Sequence, residues 1–300
     1  MSYKLDGKLV VGVSSRALFD LETENKIFEH DGLEAYSQYQ IEHESDILKP
    51  GTAFPLVKAL HKLNLNGESL TEIIVMSKNS ADTSLRIFNS INHYGLNISR
   101  AALVGGASIS PYLGAFKTDL FLSANESDVQ EAINANIAAG IICSHSEINP
   151  EDEIKQIRIA FDGDAVIFSD ESERIFQKDG LEAFAEHEHK NASNPLPEGP
   201  FAKLLKTISS IQQKDFSPQS APIRTALVTA RNAPSHERVV RTLRAWGVRI
   251  DEAFFLGGVE KGEVLKAFKA NIFFDDQTVH TESAAKYDVP SARVPYTNAD

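Results

Sequence analysis

SERIFQKDGLEAF (Ser172–Phe184) is a second copy of ENKIFEHDGLEAY (Glu24–Tyr36), with Asp31–Ala35 and Asp179–Ala183 identical. Upstream, AFDGDAVI (Ala160–Ile167) stands at the same offset as VGVSSRALF (Val11–Phe19), which sets Ser14 against Asp162 and Arg16 against Asp164. Downstream, ALVTARN (Ala226–Asn232) answers IIVMSKN (Ile73–Asn79). FFLGG (Phe254–Gly258) answers ALVGG (Ala102–Gly106), and AFKANIFFDDQ (Ala267–Gln277) answers AFKTDLFLSAN (Ala115–Asn125). A single shared pentapeptide is within reach of chance, but a series of matches in the same order is not. The period is far longer than that of a solenoid, so the chain reads as a duplicated domain, with copies over residues 1–150 and 151–300.

Each copy alternates short apolar runs with helical stretches. Ile157–Phe161, Ala226–Val228, Ala253–Leu256 and Ile272–Phe274 read as buried parallel strands. Ser235–Trp246 has a Ser at the N-cap position and Gly247 just past its end, and Lys261–Ala270 has helical spacing of Val264, Leu265 and Phe268. The expected class is α/β, with two doubly wound, Rossmann-like parallel sheets. The segment from Gln177 to Pro222 is long for a crossover, and SNPLPEGP (Ser193–Pro200) interrupts it. It is expected to form a small helical cap inserted at about 177–222, with SPQSAP (Ser217–Pro222) as the loop back.

Composition narrows the function. Hydrophobic residues make up 42% and charged residues 24%, which is ordinary for a soluble globular chain. The net charge of −12 repels phosphate backbones and argues against nucleic acid as a partner. It also means that a phosphorylated small substrate needs cations, backbone N–H groups or a metal gathered locally. The one cysteine, Cys143, lies in an apolar run and reads as core filler in a reducing compartment. Met1–Lys8 has no apolar leader and no stretch has membrane-span length, so a cytoplasmic protein is expected.

In doubly wound sheets, chemistry gathers where the strands end. There the second copy places Asp162-Gly163-Asp164, then Thr229, then Asp275-Asp276. A turning loop can aim Asp162 and Asp164 at one point, one as nucleophile or metal ligand and the other as general acid/base. Gly163 leaves the backbone open to a phosphate or metal. Adjacent acids at 275 and 276 repel each other, and a divalent cation relieves this. Lys261 opens a helix, where the dipole disfavours a cation unless an anion sits nearby. Each element alone has a bland alternative: an acidic turn, a Thr N-cap, a solvated lysine.

Together, the order Asp162/Asp164, Thr229, Lys261, Asp275/Asp276 resembles the haloacid-dehalogenase superfamily. SSRALFD (Ser14–Asp20), FNSINHYGL (Phe88–Leu96), AFDGDAVIFSDESERI (Ala160–Ile175), LVTAR (Leu227–Arg231) and IFFDDQ (Ile272–Gln277) are similar to the cytosolic 5′-nucleotidase type I family, with no departure at the acid, Thr or Lys positions. The resemblance implies Mg²⁺-dependent hydrolysis of nucleoside 5′-monophosphates. It assigns catalysis to Asp162, Asp164, Thr229 and Lys261, and the metal to Asp162, Asp164, Asp275 and Asp276. Arg231 and Asn232 are expected at the substrate. The expected partners are a nucleotide and other copies of the chain in a homo-oligomer. Phosphatase or phosphotransferase action on another small ester, and a non-catalytic nucleotide sensor, remain open from the residues.

The first copy lacks the set. Ser14, Arg16, Met76, Ile109 and Ser123-Ala124 stand at the aligned positions. This half is read as scaffold, or as an anion site of Ser14, Ser15, Arg16 and Lys78 that holds a regulatory nucleotide or helps to grip the substrate across the domain interface. Arg16 pairing with Asp20 is the plain alternative. His187-Glu188-His189 reads as a solvated helix rather than a metal site, and Trp246 as part of a helix's apolar face.

Overall fold

The computed structural model describes residues 4–65, 67–143, 149–151, 153–214, 221–233 and 235–295. Positions 217–220 of the expected return loop and 1–3 of the amino-terminal segment lie outside them. The first half runs β1 (Leu9–Val13), α1 (Ser15–Leu18), α2 (Glu22–Glu42), α3 (Phe54–His61), β2 (Asn64–Leu65), β3 (Glu68–Ser69), β4 (Thr71–Ser77), α4 (Leu85–His93), β5 (Arg100–Leu103), α5 (Ser110–Ala115), β6 (Leu120–Ser123), α6 (Glu126–Asn134) and β7 (Ala138–Ile142). The second half runs β8 (Ile157–Phe161), a π-helical turn (Gly163–Ile167), α7 (Glu171–Lys190), α8 (Ala202–Gln212), β9 (Ile223–Thr229), α9 (His236–Ala245), β10 (Glu252–Phe255), α10 (Lys261–Phe268), β11 (Ile272–Asp275), α11 (Thr278–Lys286) and β12 (Ser291–Arg293).

Among the described residues, ten strands form one sheet in the order β10-β9-β8-β11-β12-β7-β6-β1-β4-β5. This is the expected mixed α/β class with a mostly parallel sheet. Outward from the centre, β7-β6-β1-β4-β5 and β12-β11-β8-β9-β10 have the same order. Within each half, every pairing of this sheet is parallel. The seam, Ala292 against Ile142 and Arg293 against Ile141, is antiparallel. Strands of the two halves therefore run in opposite directions, and their carboxyl ends lie on opposite edges of the sheet. Gripping one substrate across the interface from both strand-end clefts is thereby excluded. Periodicity reveals strands, but not which edges of two sheets will join.

Helices cover both faces, so β1 and β4 are buried along their whole length. Gly140 sits at the seam, where a Cβ would lie 2.8 Å from Ala292 Cβ and 3.1 Å from the Phe274 ring. The repeated Asp-Gly-Leu-Glu-Ala has a backbone cause. Gly32 (φ 86°, ψ −177°) and Gly180 (φ 83°, ψ −177°) break α2 and α7 in a conformation closed to side chains. Of the segment 177–222, α8 packs into the core through Leu204, Leu205, Ile208 and Ile211. In contrast, α7 begins earlier, at Glu171, and exposes Phe176 and Leu181.

Backbone hydrogen bonds correct one register. Val104 N donates to Ser77 O as Leu256 N donates to Thr229 O, and Gly105 N to Asn79 O as Gly257 N to Arg231 O. Ser77, not Met76, is thus the counterpart of Thr229, and Lys78 answers Ala230 rather than Arg231. The first half keeps a hydroxyl at that position. Ser235 stands at the expected N-cap, but its hydroxyl donates back to Asn232 O and makes no capping bond. Cys143 is half-buried rather than buried.

Candidate active site

Three parallel strands end side by side in the second half, β8 and β11 delivering the acids and β9 a threonine. Asp162 follows β8, and its N–H donates to Phe274 O, which fixes the loop against β11. Asp275 closes β11 and is fully buried. Lys261 starts α10 and reaches between them, with Nζ 2.9 Å from Asp162 Oδ1 and 2.7 Å from Asp275 Oδ2. The compensation expected for a lysine at a helix start comes from these carboxylates. Thr229 ends β9, and its hydroxyl oxygen accepts from Arg231 N at 3.2 Å, which leaves its proton free to donate. A Cβ on residue 163 would stand 3.3 Å from Thr229 Oγ1, so Gly163 makes room for this side chain as well as for a ligand.

Asp164, expected among the metal ligands, lines the site and is engaged by an arginine. Arg231 donates to both its oxygens, Nε to Oδ2 at 2.8 Å and Nη2 to Oδ1 at 2.6 Å. His280, unforeseen from the sequence, also stands at the acids, with Nδ1 3.1 Å from both oxygens of Asp275. Donor atoms of Asp162, Asp275 and His280 lie within 4.8 Å of one another. Asp276 lines the same small cavity, of about 40 Å³, with Asp162, Asp164, Thr229 and Glu173. That is room for about three waters.

A second layer holds Arg231. Glu188, read from the sequence as a solvated helix residue, is buried. It accepts from Arg231 Nη1 at 2.5 Å, Arg238 Nη1 at 2.9 Å and Ser172 Oγ at 2.8 Å. His187 lies 3.4 Å from Glu171 and 3.3 Å from Glu188. The charge of Glu188 is tolerable in the interior because two guanidinium groups and a hydroxyl satisfy it. These contacts tie α7 to β9 and α9 directly over the acid cluster. Asn232 accepts from the Ser235 hydroxyl through its carbonyl and packs beside Gly257.

The cluster is electrostatically tense. Burial, then repulsion from Asp275 and Asp164, pushes Asp162 up to about 7 against the pull of Lys261. Burial and the neighbouring Asp275 and Asp162 push Asp276 up to about 8. Burial opposes the ionised form of Asp275, but Lys261 and His280 hold its carboxyl below the usual range. Lys261 stays charged despite its burial because Asp162 and Asp275 flank it.

Lys261→Met is expected to destabilise the chain by about 3 kcal/mol at pH 8, because two buried carboxylates lose their cation. The sign follows from linkage. A carboxyl raised in the fold contributes stability below its unfolded value near 4 and loses it as pH rises through about 7. The deficit should therefore shrink at pH 5. Urea midpoints at both pH values read it, and a deficit that grows on acidification would refute the arrangement.

In the first half, Ser14, Ser15, Arg16 and Lys78 do meet in one cleft, at the far edge of the sheet. Arg16 pairs with Glu22 at 2.9 Å, not with Asp20, and Lys78 is held by Asp128 at 2.5 Å. Ser123 replaces Asp275, and Asn125 N donates to its hydroxyl as Gln277 N donates to Asp275.

A mostly parallel α/β sheet with carboxylates and a buried lysine at its strand ends defines the class of α/β protein with an acidic strand-end site. Within that class, the family model described as 5′-nucleotidase matches residues 1–300, and the chain belongs to this family. Cytosolic 5′-nucleotidase 1B of Homo sapiens is 41% identical over 289 residues, covering 93% of this chain and 47% of that protein. The chain thus spans about half the length of this curated relative. Histidinol dehydrogenase from Elizabethkingia anophelis superposes over 94% of this chain and 79% of its own, with a TM-score of 0.25 and 9% identity, a likeness too slight to carry an argument.

Proposed function

We propose that the chain is a Mg²⁺-dependent 5′-nucleotidase that hydrolyses nucleoside 5′-monophosphates to nucleoside and phosphate through an aspartyl-phosphate on Asp162. The observation that supports this reading is the meeting of Asp162, Thr229, Lys261 and the 275–276 acids at adjacent strand ends. In this reading the halves are two haloacid-dehalogenase-type units, residues 1–150 degenerate and 151–300 catalytic, with the cap function in 177–222. The human relative is named as cytosolic, and no helix among the described residues is long and apolar enough to cross a membrane. We place the chain in the cytoplasm.

The donor set fits a hard divalent cation. Asp162, Asp275 and Asp276 offer oxygens, and the upward shifts at Asp162 and Asp276 mark a cluster short of positive charge. These residues would hold Mg²⁺, with His280 steadying Asp275. The ion supplies neutralisation of the acids against an incoming phosphate.

Chemistry on the chain's own residues runs in two steps. A carboxylate oxygen of Asp162 attacks phosphorus, the P–O5′ bond breaks, and a proton from Asp164 goes to O5′. Asp164 then takes a proton from water, whose oxygen attacks phosphorus, and the Asp162–phosphorus bond breaks to release phosphate. Thr229 and Lys261 donate to the non-bridging oxygens. To carry a proton, Asp164 must free an oxygen from the Arg231 fork, so turnover requires that fork to loosen. The cavity at the acids is small, and Glu173 of α7 lines it, so α7 borders the space next to the phosphoryl position.

Phosphate release from a panel of nucleoside monophosphates and sugar phosphates, with and without Mg²⁺, tests the reading. Preference for nucleoside 5′-monophosphates is expected. Release from sugar phosphates alone would transfer the chain to the alternative of a phosphatase for another ester, and no release from any would leave a sensor.

A further inference from the structure

We propose that the cleft at the carboxyl ends of the first-half strands is a second ligand site, which binds a nucleoside phosphate without hydrolysing it. The ligand class rests on the reading of the acid-lined cleft as a phosphate-ester site, because the two clefts share a backbone frame.

The cavity is about 550 Å³. That is the size of a small-molecule pocket, against about 40 Å³ at the acids. Its floor is made of hydroxyls. Ser14, Ser15, Ser77 and Ser123 are all buried there, at the strand-end positions that hold Asp162, Gly163, Thr229 and Asp275 in the other half. Exchanging two carboxylates for hydroxyls removes both the nucleophile and the repulsion of an anion, while donors remain. Ser14 Oγ already accepts from Ala17 N, so its proton is free to donate.

Charge points the same way. Lys78 and Asp128 form a pair that cancels, as do Arg86 and Glu24. Arg16 is different, because its partner Glu22 is 57% exposed and the contact is screened by water. Its Nε is buried with no hydrogen-bond partner among the described residues. Arg16 lines the cavity, so its planar donor fork can turn to a phosphate there without giving up a bond at Nε. Opposite the floor, α2 presents Phe28, Leu33 and Tyr36, with Phe28 and Tyr36 edge to face at 5.9 Å between ring centres. Phe28 and Leu33 are 50% and 67% exposed on α2. A planar base against these side chains would cover them, so floor and roof together match a polar head and a flat apolar tail.

The test uses adenosine 5′-monophosphate as the probe, titrated calorimetrically into the full chain carrying Asp162→Asn to prevent turnover. Binding that weakens about tenfold or more on adding either Arg16→Glu or Phe28→Ala is expected, with inorganic phosphate competing for the same sites. Phe28 is half exposed, so its truncation tests the cavity even if the charge reversal upsets folding. Isotherms that superimpose with and without these substitutions would overturn the proposal. The catalytic reading is tested separately by phosphate release from the unsubstituted chain. If that fails while Arg16-dependent binding persists, the cavity stands and only the nucleotidase reading falls.

Discussion

Asp162→Asn is expected to lower phosphate release by a factor on the order of 10⁴ or more, with the fold intact. Asn has the same shape, keeps an oxygen for Lys261, and cannot become an acyl phosphate. Folding should not suffer, because burial and two nearby acids already make the charge at 162 expensive. The thermal midpoint is expected to hold or rise in the absence of cations. Purified Asp162→Asn that turns over at near-native rate would remove Asp162 from the nucleophile's role. A variant that fails to fold would instead show that the carboxylate is needed as Lys261's counter-ion, and Asp162→Glu, which keeps that charge but displaces the attacking oxygen, would then carry the kinetic test.

Complete removal of divalent cations is expected to abolish turnover and to restore it on readdition. The physical reason is the crowding of Asp162, Asp275 and Asp276 around one cation, Lys261. A dianionic ester meets a net negative site unless charge is supplied. The pH dependence is specific. Asp162 and Asp276, raised to about 7 and about 8, hold protons near neutrality that a metal must displace. Mg²⁺ should therefore bind at least about tenfold more tightly at pH 8.5 than at pH 6.5, with protons released on binding. Activity that survives exhaustive chelation would sink the metal, and pH-independent affinity would remove these two carboxyls from its coordination.

The sequence made some of this legible. β8, β9 and β11 are apolar runs followed at once by polar residues, and the structure brings Asp162, Thr229, Lys261 and Asp275 together. Two errors have physical causes. The match of IIVMSKN to ALVTARN aligned the asparagines, and the backbone bonds of Val104 to Ser77 and Gly105 to Asn79, set against those of Leu256 to Thr229 and Gly257 to Arg231, show that the register is one residue off. Glu188 sits among histidines and other acids in α7, a local context that reads as solvent-facing. Its burial is made by Arg231 and Arg238, which are about 40 and 50 residues away in the chain. His280 lay open to notice, since it follows the acidic pair by one helical turn.

The antiparallel seam also bears on any attempt to work with one half alone. Cutting between the halves would bare the edge of β7 at Ile141 and Ile142 and strip β12, three residues long, of its neighbour on that side. Unpaired backbone N–H and C=O groups on such edges recruit other strands. Gly140 would be left without the Ala292 and Phe274 surfaces that it fits. A fragment of residues 151–300 would thus carry every candidate catalytic group and still be inclined to self-associate, so loss of activity on truncation would report a raw sheet edge before it reported anything about chemistry.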